Sequence, residues 1–186
     1  IGFAHQLVRL PDGSFLVGTQ ADPTGVAERT EAQAVGQLYR IVLGESSPAK
    51  IEHLGVPGPG QGIYTLAYLE KVDQIAGNTW PDGHFFVYDL KAKSFFDHGA
   101  IAGHRTFQTP QHAADVNRGT DRNVSYARQV SRAIGVAPSG EAFSGGAGGF
   151  LFGYDPKTGK VQKLDARLPA APGRESWASL DAVSTI

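Results

Sequence analysis

The residue types able to do chemistry concentrate in the stretch from Ala102 to Val130, which reads AGHRTFQTPQHAADVNRGTDRNVSYARQV. Arg105, Arg118, Arg122 and Arg128 stand there against only Asp115 and Asp121, so the stretch favours an anion even before His104 and His112 are considered. Guanidinium groups pair with carboxylates and sulfates through two parallel hydrogen bonds, which makes acidic saccharides a natural ligand class. His104, His112 and Tyr126 are types that supply acid and base for β-elimination from a uronate, where a neighbouring arginine or a metal neutralises the carboxylate and acidifies the α-proton. The expected catalytic residues are therefore His104, His112 and Tyr126. The expected ligand-binding residues are Trp80, His84, Arg105, Arg118, Arg122 and Arg128. Their spacing forms no compact motif. The plainer alternative is a solvated cap whose arginines pair with acids elsewhere.

Three weaker patterns add little. Asp115-Val-Asn117-Arg-Gly119-Thr-Asp121 alternates oxygen ligands as calcium loops do, but Gly119 stands where a side-chain oxygen is needed and Tyr126 where a glutamate closes such loops. No metal is expected, and no cofactor is named by the sequence. Asn123-Val124-Ser125 matches a glycosylation sequon that chance readily produces. The run Gly145-Gly146-Ala147-Gly148-Gly149 lacks the Lys-Ser/Thr of a phosphate loop and no helix follows it, so it reads as a hairpin.

The elements that must carry these residues are read best between Ile63 and Ile101: IYTLAYL, EKVD, QIAGNT, WPDG, HFFVYDL, KAK, SFFDHGAI. Four apolar or alternating runs separated by Gly, Pro and Asp punctuation predict four antiparallel strands joined by hairpins. Such a unit is one propeller blade. The same grammar recurs before it, as HQLVRL, PDGS, FLVGTQ, GQLYRIVL and KIEHLGV with an insertion at Ala21–Val35, and after it, as SRAIGVAP, AFSGG, FLFGYD and VQKLDARLP. A tyrosine recurs in the third strand of each copy, at Tyr39, Tyr88 and Tyr154, and a glycine closing each second strand (Gly18, Gly77, Gly145) is expected to keep step with it. Blades are expected at about 4–56, 63–101 and 132–169, with the start of a further one at 174–186. That makes an all-β propeller segment and an incomplete ring, since closed propellers have about four to eight blades. Trp80, Phe85, Phe86, Phe95 and Phe96 are expected to pack between neighbouring blades. His5, His53 and His98 read as packing or rim residues. His84 begins a strand on the loop face.

Composition narrows the partners. A net charge of -1 over 186 residues gives no global pull toward nucleic acid or an anionic membrane, and no run reaches the length of a membrane span. Neither partner is expected. The absence of cysteine excludes disulfides, thiolate metal sites and cysteine nucleophiles. The absence of methionine, with a start inside a strand-like run, makes a piece of a longer chain the expectation. An open fan of blades exposes sheet faces and edges that need covering, by further blades of the same protein or by a second copy.

The segments HFFVYDLKAKSFFDHGAI and FLFGYDPKTGKVQKLDARLP resemble blades of the secreted and periplasmic β-propellers grouped with kelch-like and YVTN-type repeats, and blades similar to these occur in propeller polysaccharide lyases. The resemblance implies architecture and an extracytoplasmic setting. It carries no catalytic signature across. The expected role is ligand binding on the loop face, with an acidic saccharide the favoured ligand. One rival is a polysaccharide lyase using His84, His104, His112, Arg105 and Tyr126. A second is a structural or protein-binding propeller.

Overall fold

A computed structural model of the chain describes residues 4–19, 36–44, 47–58, 61–80, 83–101, 130–145 and 150–167. Their strands form three antiparallel four-stranded meanders in chain order. The first sheet holds β1 (Ala4–Arg9), β2 (Phe15–Thr19), β3 (Leu38–Val42) and β4 (Lys50–Gly55). The second holds β5 (Gly62–Leu69), β6 (Gln74–Trp80), β7 (Phe85–Asp89) and β8 (Ser94–Asp97). The third holds β9 (Ile134–Val136), β10 (Ala142–Gly145), β11 (Phe150–Asp155) and β12 (Lys160–Arg167). The first strands β1, β5 and β9 approach one another, so the sheets fan outward from them as three blades of an incomplete propeller ring.

Turn chemistry closes the hairpins. Asp12 Oδ1 accepts from the Ser14 amide (3.0 Å) and hydroxyl (2.6 Å), an Asx turn completed by Gly13 at φ 83°. The turns at 70–73, 90–93 and 156–159 each end on a left-handed residue, Asp73 (φ 55°), Lys93 (φ 53°) and Gly159 (φ 65°). A meander built this way places every second-to-third and every blade-to-blade connection at the same end. The registers Gly62↔Trp80, Asn78↔Phe85 and Phe86↔Asp97 show that end in the middle blade.

Period-two alternation makes the middle blade a wall buried on both sides. Phe86 and Tyr88 of β7 join Leu16, Leu38, Ile63 and Ile75 between the first and second blades. Phe85 and Val87 of the same strand join Leu69, Ala76, Phe152 and Tyr154 between the second and third. Each of the larger side chains contributes roughly 1.5–3 kcal/mol on burial, which is why β7 reads as an unbroken apolar run. The outer face of the first blade has no neighbouring sheet among the described residues, and Leu7 and Ile51 stand 58% and 64% exposed. The three recurrent tyrosines face the same way round the fan. Tyr88 and Tyr154 each pack on the preceding blade, whereas Tyr39 faces the side where none is described and stays half-exposed.

Two sequence expectations need correction. The tyrosines occupy equivalent strands, but the glycines do not keep register with them: Tyr39 pairs with Val17, Tyr88 with Ile75 and Tyr154 with Ala142, leaving Gly18, Gly77 and Gly145 one, two and three residues further on. Gly18 and Gly77 answer local contacts instead, Gly18 against Ile63 and Gly77 against the ring of Phe86. The second concerns Phe96, which is 62% exposed. Alternation sends Phe95 toward Tyr88, ring centroids 4.6 Å apart, and Phe96 to the opposite face. A start of a blade at 174–186 lies outside the described residues.

Candidate functional site

At the connection end of the middle blade, polar side chains and the His84 backbone form a continuous chain from the innermost to the outermost strand. Thr79 Oγ1, on a buried residue at the end of β6, donates to Gln61 Oε1 at 2.9 Å, just before β5. The His84 amide donates to Thr79 Oγ1 at 3.0 Å, and the Thr79 amide to the His84 carbonyl at 2.9 Å. The His84 ring then meets Asp97 at the end of β8, Nδ1 to Oδ2 2.8 Å, and the Gly99 amide holds the other carboxylate oxygen at 2.7 Å. A carboxylate only accepts, so Nδ1 carries the proton, and in the neutral ring Nε2 presents its lone pair. Nε2 has no partner among the described residues. With side chains 30% and 41% exposed, His84 and Asp97 are open to solvent at the blade rim. This is a positioned imidazole, able to accept a proton or a ligand's hydrogen bond.

A second polar group pins the neighbouring blade at the same end. Fully buried Asn78 donates through Nδ2 to the Ser131 carbonyl (3.1 Å) and to Ser144 Oγ (3.0 Å), while Ser144 Oγ donates to the Ala133 carbonyl at 2.7 Å. The chain therefore re-enters the third blade against the wall of the second. Beside it β5 bulges at Tyr64, with Ile63 opposite Thr79 but Thr65 opposite Asn78, and Arg132 lies over the Tyr64 ring at 5.4 Å. Gln61, Thr65, Asn78, Thr79, Ser131 and Ser144 make up all but one of the buried polar residues described, the other being Ser14. Buried polar groups of a core gather where hydrogen bonding must be specific.

Of the sequence-predicted site residues, His84 and Trp80 are described. His84 is in the polar chain. Trp80 is half-buried against the core between the second and third blades, paired with Gly62. His104, His112, Tyr126, Arg105, Arg118, Arg122 and Arg128 lie outside the described residues. Ile101 and Val130, which flank that stretch, are placed at this same end of the blades. Sequence reasoning missed Gln61, Thr79, Asp97 and Arg132. Asp97 was within reach: counting back from the hairpin pair Asp89↔Ser94 brings the end of β8 beside the start of β7.

A cleft of about 280 Å³ at the opposite end lies between the first two blades, where Arg40 pairs with Asp12 and Tyr68 donates to Asp73 at 2.9 Å. Burial and that bond push the Tyr68 hydroxyl up to about 12. No group of three or more His, Asp or Glu side chains among the described residues is arranged to hold a metal ion, and no helix there is long and apolar enough to cross a membrane.

No family model matches the chain, and no curated protein does. Solved structures do. One is the extracellular domain of a "putative hybrid two component system" from B. thetaiotaomicron, with TM-score 0.52 and 14% identity over 87% of this chain and 16% of that one. Another is a "putative 6-phosphogluconolactonase" from Bacteroides uniformis, with TM-score 0.55 and 15% identity over 94% of this chain and 43% of that one. The chain thus spans less than half the length of either. At these identities the likeness is one of fold.

Proposed function

We propose that this propeller segment binds an acidic saccharide at the connection end of its blades, with His84 as a contact residue. The observation that carries the reading is the His84–Asp97 pair, in which the carboxylate holds the imidazole through Nδ1 and leaves Nε2 directed away, while Thr79 and Gln61 anchor the His84 backbone. A sugar hydroxyl is a suitable donor to such a nitrogen. Arg132 on Tyr64 adds a cation at the same end, and the arginines of residues 102–129 belong to the connection that leaves and returns there. The name of one structural neighbour refers to a phosphorylated sugar derivative, which agrees with an anionic sugar as ligand class. Calorimetric titration with trigalacturonate against its fully methyl-esterified form tests the reading: the acid should bind and the neutral ester should bind more weakly. Equal heats from both would refute the anionic class.

The His84–Asp97 pair also favours a second reading, in which the parent protein is a polysaccharide lyase. Nε2 would take the proton α to the uronate carboxylate, the bond to the leaving oxygen would break, and an acid such as Tyr126 would protonate that oxygen. Incubation with a polyuronate should then yield unsaturated ends, and none after His84→Ala. A propeller serving only to bind proteins would give neither heat nor product.

A further inference from the structure

The two consecutive phenylalanines of β8 lead different lives. Phe95 closes the seam between the first and second blades, against Tyr88 and Phe86 and within reach of Gly55. Phe96 points into the seam between the second and third blades, where the third blade offers Tyr154 and the Thr158–Gly159 turn, and a cleft of about 430 Å³ stays open. We propose that this cleft is a binding site for a neutral pyranose ring, distinct from the connection end and stacked on Phe96.

The wall is built by alternation: Ser94, Phe96 and His98 project in a row from β8 and the residue beyond it, facing Tyr154 and Thr158 across the cleft, with Gln74 at its floor. His98 and Phe96 make an aromatic corner, centroids 4.6 Å apart, and the Tyr154 ring lies 5.4 Å from His98. Sugars present an apolar face of C–H groups and a girdle of hydroxyls, so they suit a site with an aromatic plate and scattered polar groups. Tyr154 is committed, its hydroxyl donating to Gln74 Oε1 at 3.1 Å. The Ser94 hydroxyl and the His98 ring nitrogens are not committed among the described residues, and they can meet hydroxyls in either sense.

Charge selects against acids. The one full charge on the lining is Asp89, and it is spent inward: Oδ1 accepts from the Lys91 and Ala92 amides at 3.0 and 2.7 Å, Oδ2 from Gln74 Nε2 at 3.2 Å. No cation lines the cleft. A uronate would meet a carboxylate without a counter-charge. This site therefore prefers the opposite ligand class to the connection end.

Isotope-labelled protein titrated with methyl β-D-glucopyranoside, methyl β-D-galactopyranoside and glucuronate distinguishes the possibilities. The proposal expects chemical-shift changes at residues 94–98 and 158–159 with a pyranoside and weaker ones with glucuronate. Phe96→Ala should weaken the pyranoside roughly tenfold. Ser94→Trp, at an exposed strand position, should abolish it with the fold intact. His84→Ala should leave it unchanged, which separates this site from the one at the connection end. No response to either pyranoside would overturn the proposal, as would affinity undiminished in Phe96→Ala or shifts that map to His84.

Discussion

Asp97 Oδ2 lies 2.8 Å from His84 Nδ1, joining the last residue of the outermost strand to the residue that precedes the third strand of the same blade. That contact decides which ring nitrogen faces solvent. The free imidazole favours the proton on Nε2, whereas a carboxylate at Nδ1 reverses the preference. Two-bond proton–nitrogen correlations of His84 should show the Nδ1–H tautomer in the wild type and its loss in Asp97→Ala. An unchanged tautomer in the variant would remove Asp97 from the account.

Asn78 joins the second and third blades through the Ser131 carbonyl and the Ser144 hydroxyl, and its Oδ1 has no partner among the described residues. Asn78→Ala should cost about 1–2 kcal/mol in urea denaturation, because a buried carbonyl loses its donor while the unpartnered oxygen is removed with it. Asn78→Asp should cost more. It replaces the donor with a second acceptor opposite that carbonyl. The reverse ranking would show that the seam is held by packing alone.

Gly36 is where two blades touch backbone to backbone. Its amide donates to the Gln61 carbonyl at 2.7 Å, and a Cβ there would fall 2.6 Å from both Gly62 Cα and Ile63 N. Backbone cannot swing aside as a side-chain tip can. Gly36→Ala should therefore destabilise by roughly 1–3 kcal/mol and shift the amide resonances of Gln61–Ile63. A melting temperature equal to the wild type's would mean that the seam adjusts freely.

His98 supplies the pH dependence. Burial holds its ring below the usual histidine value of 6.5, only partly offset by Asp97. A depressed histidine binds fewer protons folded than unfolded, so stability is full above 6.5 and declines as pH falls below it toward the folded value. Asp12, Asp89 and Asp155 are lowered chiefly by hydrogen bonds, so their contribution is lost further down, as pH falls below the ordinary 3.8. Urea midpoints should drop in the upper window for the wild type and stay flat there for His98→Phe. Parallel curves would assign the drop to another group.

The fold was legible because its signals are local. Turn residues such as Pro11-Asp12-Gly13 and the alternation of β5 are written within a few residues of where they act. The candidate site was legible only in part. His84 stood out as a histidine at a strand start, but its partner Asp97 is separated from it by a complete hairpin, and Gln61 and Thr79 look like ordinary polar residues until register brings them together. The glycine repeat misled for a related reason. Gly18 and Gly77 are small to admit different neighbours, Ile63 of the next blade and Phe86 of the same one, and no shared register demands them. Phe95 and Phe96 are alike in sequence, and only the bulk of the facing blades separates the half-buried one from the exposed one.

The central claim is that the connection end of the middle blade binds an acidic saccharide through His84. Calorimetric titration of the wild type, His84→Ala and Asp97→Ala with trigalacturonate tests it most directly. The account predicts saturable binding that weakens roughly tenfold in His84→Ala, the effect of losing one good hydrogen bond, and by a smaller factor in Asp97→Ala. Wild-type protein that takes up no trigalacturonate, or a His84→Ala variant that binds it as tightly, would contradict the claim.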